Sequence, residues 1–296
     1  MPQIEVIAPA KVNLHLEVLG RCRDGLHELR SLAVSIGLAD RIVVRSVPGS
    51  AVNLRVDPFS AVAAGEDNLV IRAARLMQRV SKVRSGLDVT LIKKIPVAAG
   101  LGGGSADAAA TLLALDRLWG LGLTENELAA MGAELGSDVP YCLVGGYAAL
   151  TGRGDQVHPL PDLEPLHLVI CVPSVAVPTV QAYARLDEKL ISRAADDSVS
   201  DFVASAAACA PQPPPWDTLK NDLEKVVIRW WPEVGQALAD LRSTACEYAA
   251  VTGSGGASFA VYEDADSASA AVASLARKWP VVQTAIQSRR ETRIER

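Results

Sequence analysis

The chain has 296 residues, 49 % apolar and 21 % charged, a balance that buries a core and excludes a disordered polyelectrolyte. Twenty-nine Lys and Arg against 34 Asp and Glu leave a net charge of −5, so no nucleic-acid partner is expected. Aromatics make up only 4 %, which leaves the packing to Val, Ala and Leu, and at about 150 residues per domain the length predicts two domains. A membrane helix needs about 20 nearly uninterrupted apolar residues. The best candidates are cut by Lys11, by Asp107 with Asp116, or by prolines, so no membrane association is expected. Glu5, Pro9 and Lys11 occupy the place where a signal peptide carries its apolar stretch. The cysteines (Cys22, Cys142, Cys171, Cys209, Cys246) form no CxxC pair and the histidines no HxxxH spacing. Neither a disulfide framework nor a Cys/His zinc site is expected, and the cysteine usage predicts a reduced, cytoplasmic protein.

From Lys11 to Gly20 the chain alternates: Val12, Leu14, Leu16 and Val18 point one way, Asn13, His15 and Glu17 the other, as in a half-buried strand. Further strands are predicted over Glu28–Leu38, Arg41–Val47 and Val52–Val56. A helix follows from Asn68 to about Lys82, capped by Asp67 or Asn68, with Leu69, Ala73, Leu76 and Val80 on one face. Leu87–Ile95 alternates again. A glycine run, GLGGGS at 100–105, then leads into a helix reaching about Trp119. The next helix has a capping box, Thr124 with Glu127. In the second half, His167–Val172 reads as a strand, Thr179–Leu190 as a helix and Pro211–Pro215 as an irregular loop. Helices start near Asp222 and Val234. Two short strands bracket a second glycine turn, GSGG at 253–256, before a helix over Ala265–Lys278 and a strand over Val281–Gln287. The texture changes near Gly154, which divides the chain into 1–154 and 155–296. Mixed element order with early hairpins predicts an α+β fold rather than a doubly wound sheet.

The strongest chemical signal is PVAAGLGGGSADAAATLLALDRL at 96–118. A strand, a glycine turn and a helix N-terminus together bind phosphate, because free N–H groups and the positive helix end converge on the anion. Ser105 sits where a hydroxyl meets a phosphate or Mg²⁺, whereas Asp107, in the first turn, needs a role as a cap or as indirect metal support. No lysine follows the glycines, which excludes a Walker loop. Ser105 and Gly120 stand where a dinucleotide fingerprint needs glycine and an acid. Asp138, before Val-Pro, also suits a turn or helix cap, and Lys11 a solvated strand edge.

GLGGGSADAA resembles the phosphate-binding motif of the GHMP kinases, small-molecule kinases named for galactose, homoserine, mevalonate and phosphomevalonate. PAKVNL at 9–14 and TGSGGASF at 252–259 resemble two further motifs of that family, in the family's order. GRCRDGLHELRS at 20–31, GSDVPYC at 136–142 and LKNDLE at 219–224 resemble one member with a cytidine-diphosphate sugar-alcohol acceptor. The resemblance implies a ribosomal-S5-domain-2-like N-terminal domain, a ferredoxin-like C-terminal domain, ATP with Mg²⁺, and a monomer or weak homodimer.

By that similarity Asp138 matches the catalytic carboxylate and Lys11 its partner. Gly100, Gly102, Gly103, Gly104 and Ser105 match the phosphate cradle, Ser105 also the metal, and Asn68 and Lys93 the adenosine surroundings. His27 matches a histidine that reads a cytosine edge, and Tyr183 an aromatic that stacks on the base. Asn13, Thr179, Gly253, Ser254 and Gly255 match further acceptor contacts. Leu26 stands where relatives usually carry tyrosine, Ala98 and Ala99 where a glycine is usual, and Ala106 in place of a second serine. Another GHMP kinase, of homoserine or mevalonate type, and a silent nucleotide-binding regulator on the same scaffold are the rival expectations.

Overall fold

Strand β1 (Gln3–Arg21) is the spine of the molecule. The computed structural model describes residues 2–22, 25–56, 62–186 and 198–292. Successive side chains of β1 feed three cores in turn. Val6 and Ala8 pack beneath the N-terminal helices, and Ala10, Val12 and Leu14 join a core that reaches Leu168, Ile170, Phe259 and Val261. Leu16 and Val18 enter a core built otherwise from the second half. Its other face is polar but not solvated: Lys11, Asn13 and His15 are 4 %, 3 % and 8 % exposed. Alternation identified the strand, and the half-buried expectation is corrected, because Lys11 and Asn13 of that face line an internal cavity and His15 packs beside Phe202.

β2 (His27–Val47) runs antiparallel to β1 along nearly its whole length. The two strands expected over Glu28–Leu38 and Arg41–Val47 are therefore one. Asp40, whose charge interrupts the apolar pattern, is fully buried in an ion-pair cluster rather than in a turn. β3 (Val52–Val56) lies parallel to β4 (Gly86–Ile92), which pairs with β2. β5 (Tyr147–Thr151), β6 (Gln156–Pro159) and β7 (His167–Cys171) continue the antiparallel pattern. β7 pairs with β9 (Ser258–Tyr262), which pairs with β8 (Tyr248–Val251). β10 (Val281–Gln287) pairs with β7 and, through Ile286 and Gln287, with β2, tying the two halves into one ten-stranded system. The predicted α+β class holds.

Helix α1 (Leu69–Ser81) is capped by Asn68, whose side chain accepts from Val70 N–H at 2.9 Å. Its inner face is Val70, Ile71, Ala73, Ala74, Leu76 and Met77. Val80, expected on that face, is half exposed in the last turn. α2 (Gly103–Trp119) presents Ala106, Ala108, Ala109, Ala110 and Ala114 inward, so this helix approaches the β1–β2 layer closely. α3 (Glu125–Leu135) has the expected capping box, and α4 (Val139–Val144) begins after Asp138. α5 covers Thr179–Ala184. The expected continuation to Leu190 falls partly outside the described residues. A helix over Val199–Cys209, opened by its own Ser198–Asp201 capping box, was not anticipated. Helices Glu224–Trp230, Pro232–Arg242 and Ala265–Leu275 fall where sequence placed them.

Candidate active site

A cavity of about 1050 Å³ opens where the motif segments converge, large enough for two ligands side by side. Lys11, Asn13, His27, Asn68, Lys93, Gly100, Gly102, Gly103, Gly104, Ser105, Asp138, Thr179, Tyr183, Gly253 and Ser254 all line it. Gly255, expected to touch the acceptor, does not. A Cβ there would press on Val227 and Val177, so the side-chain direction of this glycine is toward the second core.

The phosphate loop is held open by its neighbour in the second half. Ala257 N–H donates to Ala99 O at 2.9 Å and Lys11 N–H to Leu101 O at 3.0 Å, locking loop 98–102 between β1 and the 252–256 turn. Gly100 has φ +77°, and a Cβ there would lie 2.5 Å from Thr252 O, so the interlock requires glycine. Gly102, at φ +71°, is the N-cap of α2 and offers no side chain to the first turn. The helix starts at Gly103, earlier than the sequence pattern indicates. The N–H groups of its first turn therefore lack intrahelical acceptors at the cavity wall, where an anion satisfies them.

Lys11 lies against this turn; its Cγ would be 3.0 Å from a Cβ at Gly102. Its Nζ donates to Asn13 Oδ1 at 2.7 Å and stands 3.4 Å from Asp138 Oδ2. Asn13 is oriented in turn: its Nδ2 donates to Ser31 Oγ at 2.7 Å, its backbone N–H to Thr252 Oγ1 at 3.1 Å, and Ser31 Oγ donates to His15 O at 2.6 Å. Asp138 occupies the N-cap position of α4 but makes no capping bond, so its carboxylate stays with Lys11 and faces the cavity. The helix-cap alternative for Asp138 and the solvated-edge alternative for Lys11 both fall. A buried ammonium is retained only with such partners. A carboxylate beside an ammonium, next to an anion cradle, can accept a proton while spreading negative charge is neutralised.

Lys93 lines the cavity and is ion-paired as well. Its ammonium is shared between Asp40 and Asp107 (2.8 Å to the latter), beneath the first turn of α2. Both carboxylates are buried, and together they hold the Lys93 pKa above its usual value although burial alone would lower it. Burial pushes the Asp107 carboxyl upward, with Lys93 opposing. Asp107 is therefore neither cap nor solvated acid but part of a buried cluster, and its Oδ1 has no hydrogen-bond partner. Asp40, which also accepts from Ile95 N–H at 2.8 Å, had no signal in the sequence beyond an acid between two expected strands.

At the other end of the cavity His27 and Tyr183 meet, ring centroids 5.0 Å apart and planes at 31°. Partial burial, and then the Arg21 guanidinium, keep His27 below its usual pKa, so the neutral ring can donate from one nitrogen and accept at the other. Leu26, at the rim, is half exposed. Thr179 Oγ1 and Ser254 Oγ lie 2.8 Å apart, joining α5 to the glycine turn. Arg21 and Arg153 also line the cavity and were missed. Arg21 sits inside the GRCRDGLHELRS motif; Arg153, between two turn glycines, had no distinguishing pattern.

Fold and site together define a small-molecule kinase of the GHMP class: the family models for the GHMP kinases N terminal domain and for GHMP kinases C terminal match residues 68–146 and 214–281. A 4-diphosphocytidyl-2-C-methyl-D-erythritol kinase from Acaryochloris marina is 42 % identical over 246 residues, 79 % of this chain and 78 % of that protein. A crystal structure of 4-(cytidine 5'-diphospho)-2C-methyl-D-erythritol kinase superposes with a TM-score of 0.79 at 34 % identity, covering 96 % of this chain and all of that one. The chain belongs to the 4-diphosphocytidyl-2-C-methyl-D-erythritol kinase family. Homoserine kinase from Cytophaga hutchinsonii, at 19 % identity and a TM-score of 0.68 over 97 % of this chain and 95 % of that one, shares the fold.

Proposed function

We propose that this chain transfers the γ-phosphoryl group of ATP to the 2-hydroxyl of 4-diphosphocytidyl-2-C-methyl-D-erythritol, giving the 2-phosphate and ADP, in the non-mevalonate route to isoprenoid precursors. The supporting observation is the Lys11–Asp138 pair, 3.4 Å apart on the wall of one cavity. That cavity has a helix N-terminus among its walls and a His27–Tyr183 ring pair as well. In this assignment the free amides of Gly103, Gly104 and Ser105 take the phosphates. Asp138 orients the acceptor hydroxyl and accepts its proton, and Lys11 stabilises charge on the transferring group. His27 reads the edge of the cytosine and Tyr183 stacks on its face, while Asn13, Thr179, Gly253 and Ser254 contact the rest of the acceptor. Asn68 borders the adenosine, and Lys93 acts through its ion pairs by fixing the base of the phosphate loop.

Among the described residues there is no group of three or more His, Cys, Asp or Glu able to hold a metal. Mg²⁺ arriving on the oxygens of ATP commonly takes only one or two protein ligands beside phosphate and water. The Ser105 hydroxyl would hold it, with the partnerless Asp107 Oδ1 two residues along the same helix. When bound, the ion supplies neutralisation of phosphate charge. We place the division between ATP-binding and C-terminal units at residue 154. We take the protein to act in the cytoplasm as a monomer or weak homodimer, without nucleic acid; no helix among the described residues is long and apolar enough to cross a membrane.

ATP consumption against cytidylyl-methylerythritol, homoserine, mevalonate and galactose tests the assignment. Turnover is expected with the first; turnover confined to another acceptor overturns it, and ATP binding without transfer to any acceptor supports the silent regulator. Asp138→Ala and Lys11→Ala are each expected to lower kcat by about 10²–10⁴-fold. Near-parental rates in folded variants would remove the roles given to this pair.

A further inference from the structure

Helix α5 brings Thr179 and Tyr183 to the cavity and rests on the second core through Ala182, Tyr183 and the following Leu186. Of its six residues Ala182 alone is buried, and Val180 is 80 % exposed. A helix this short is not stable on its own hydrogen bonds. Its first residue is tied to the glycine turn through Thr179 and Ser254. Its far end is tied by Arg185, the C-cap residue, whose guanidinium lies over two indole rings at once: 4.9 Å from the centroid of Trp230 and 5.3 Å from that of Trp231. Arg185 Nη1 also donates back into the helix, to the backbone and side-chain oxygens of Gln181, both at 3.1 Å.

Trp230 is 54 % exposed, an unusual place for an indole that serves only packing. As a platform for a cation its exposure has a purpose. The two tryptophans end the helix Glu224–Trp230. Just before that helix Asn221 donates to the carbonyls of Val251 and Gly253 at 2.8 and 2.9 Å. One short segment therefore holds the glycine turn at one end and the far end of α5 at the other.

We infer that Arg185, clamped on Trp230 and Trp231, is a positioning residue for the acceptor: it fixes the C-terminal end of α5 and so the placement of Tyr183 opposite His27. The inference rests on the acceptor assignment above. Its test is steady-state kinetics of Arg185→Ala and Trp230→Ala with both substrates varied, and with Trp230→Phe as the conservative variant. Loss of a clamp of this strength is expected to raise KM for the cytidine-diphosphate acceptor about three- to tenfold. KM for ATP and kcat should stay within about twofold, and Trp230→Phe should recover most of the loss. Both side chains are exposed, so unfolding midpoints should hardly move. An unchanged acceptor KM in both alanine variants overturns the clamp, as does a rise in the ATP KM in step with it. A parent chain that leaves this acceptor unphosphorylated overturns the acceptor assignment and the clamp together. Parental turnover with unaltered variant constants overturns the clamp alone.

Discussion

His15 is a polar residue of β1 that the strand pattern points toward water and the structure buries. Burial pushes its pKa down to about 4 from 6.5, with Lys220 and Arg30 adding to the effect and Glu17 and Asp222 opposing it. The folded chain keeps it neutral while the unfolded chain protonates it near 6.5. Between those values the unfolded state binds more protons, so stability is lost as pH falls through this window, by about 3 kcal/mol in all. Urea midpoints of the parent and His15→Gln, followed from pH 7 to 4, should converge as the parent loses that amount. Parallel curves would show that His15 titrates normally. Ala98 is the other residue at odds with its surroundings: it stands where the family resemblance leads one to expect glycine, and it adopts φ +56°. Ala98→Gly should stabilise the fold by about 1 kcal/mol by relieving that left-handed conformation, read as a higher urea midpoint at unchanged slope.

Among the elements, those whose cause is local were legible. The Asn68 cap of α1 and the Thr124–Glu127 box of α3 involve residues two and three apart, and both form as expected. β2 was not legible as one strand because the reason Asp40 lies in it is Lys93, 53 residues away. Nor was the depth of β1, since alternation reports which side chains share a face but not what covers that face. α2 combines both kinds of information: its glycines and alanines are plain in the sequence, but their use as a close-packing face needs the sheet beneath. Ala109→Leu should therefore cost about 1–3 kcal/mol of stability by overpacking, measured by chemical denaturation. A cost near zero would mean that α2 stands further from the sheet than its buried alanines indicate.

At the scale of the molecule, ion pairs and interlocked loops join what the chain order separates. Asp40 supports Lys93, the Ile95 amide and, through Lys93, α2. Its replacement by alanine should cost about 3–5 kcal/mol, because it leaves a buried ammonium half-paired. Asp40→Asn, which keeps an acceptor for the Ile95 N–H, should lose less; an equal loss would place the effect in the charge rather than the hydrogen bonds. Ligand binding should act on the same junction. ATP at one hundred times its dissociation constant should stabilise the protein by about 2.7 kcal/mol, visible as a rise in unfolding temperature. No rise at any ATP concentration would contradict the nucleotide site.

The sequence by itself determined the reaction class, the phosphate loop, the acid–lysine pair as candidates and most helix starts. Each of these rests on residues close in the chain or on motifs spelled out whole. Only the tertiary structure decided that Lys11 meets Asp138 across 127 positions of chain, that Lys93 is spent on two buried carboxylates, and that Gly255 faces the core. Those outcomes depend on which groups share a low-dielectric interior and can satisfy one another there, and a linear pattern carries no record of that.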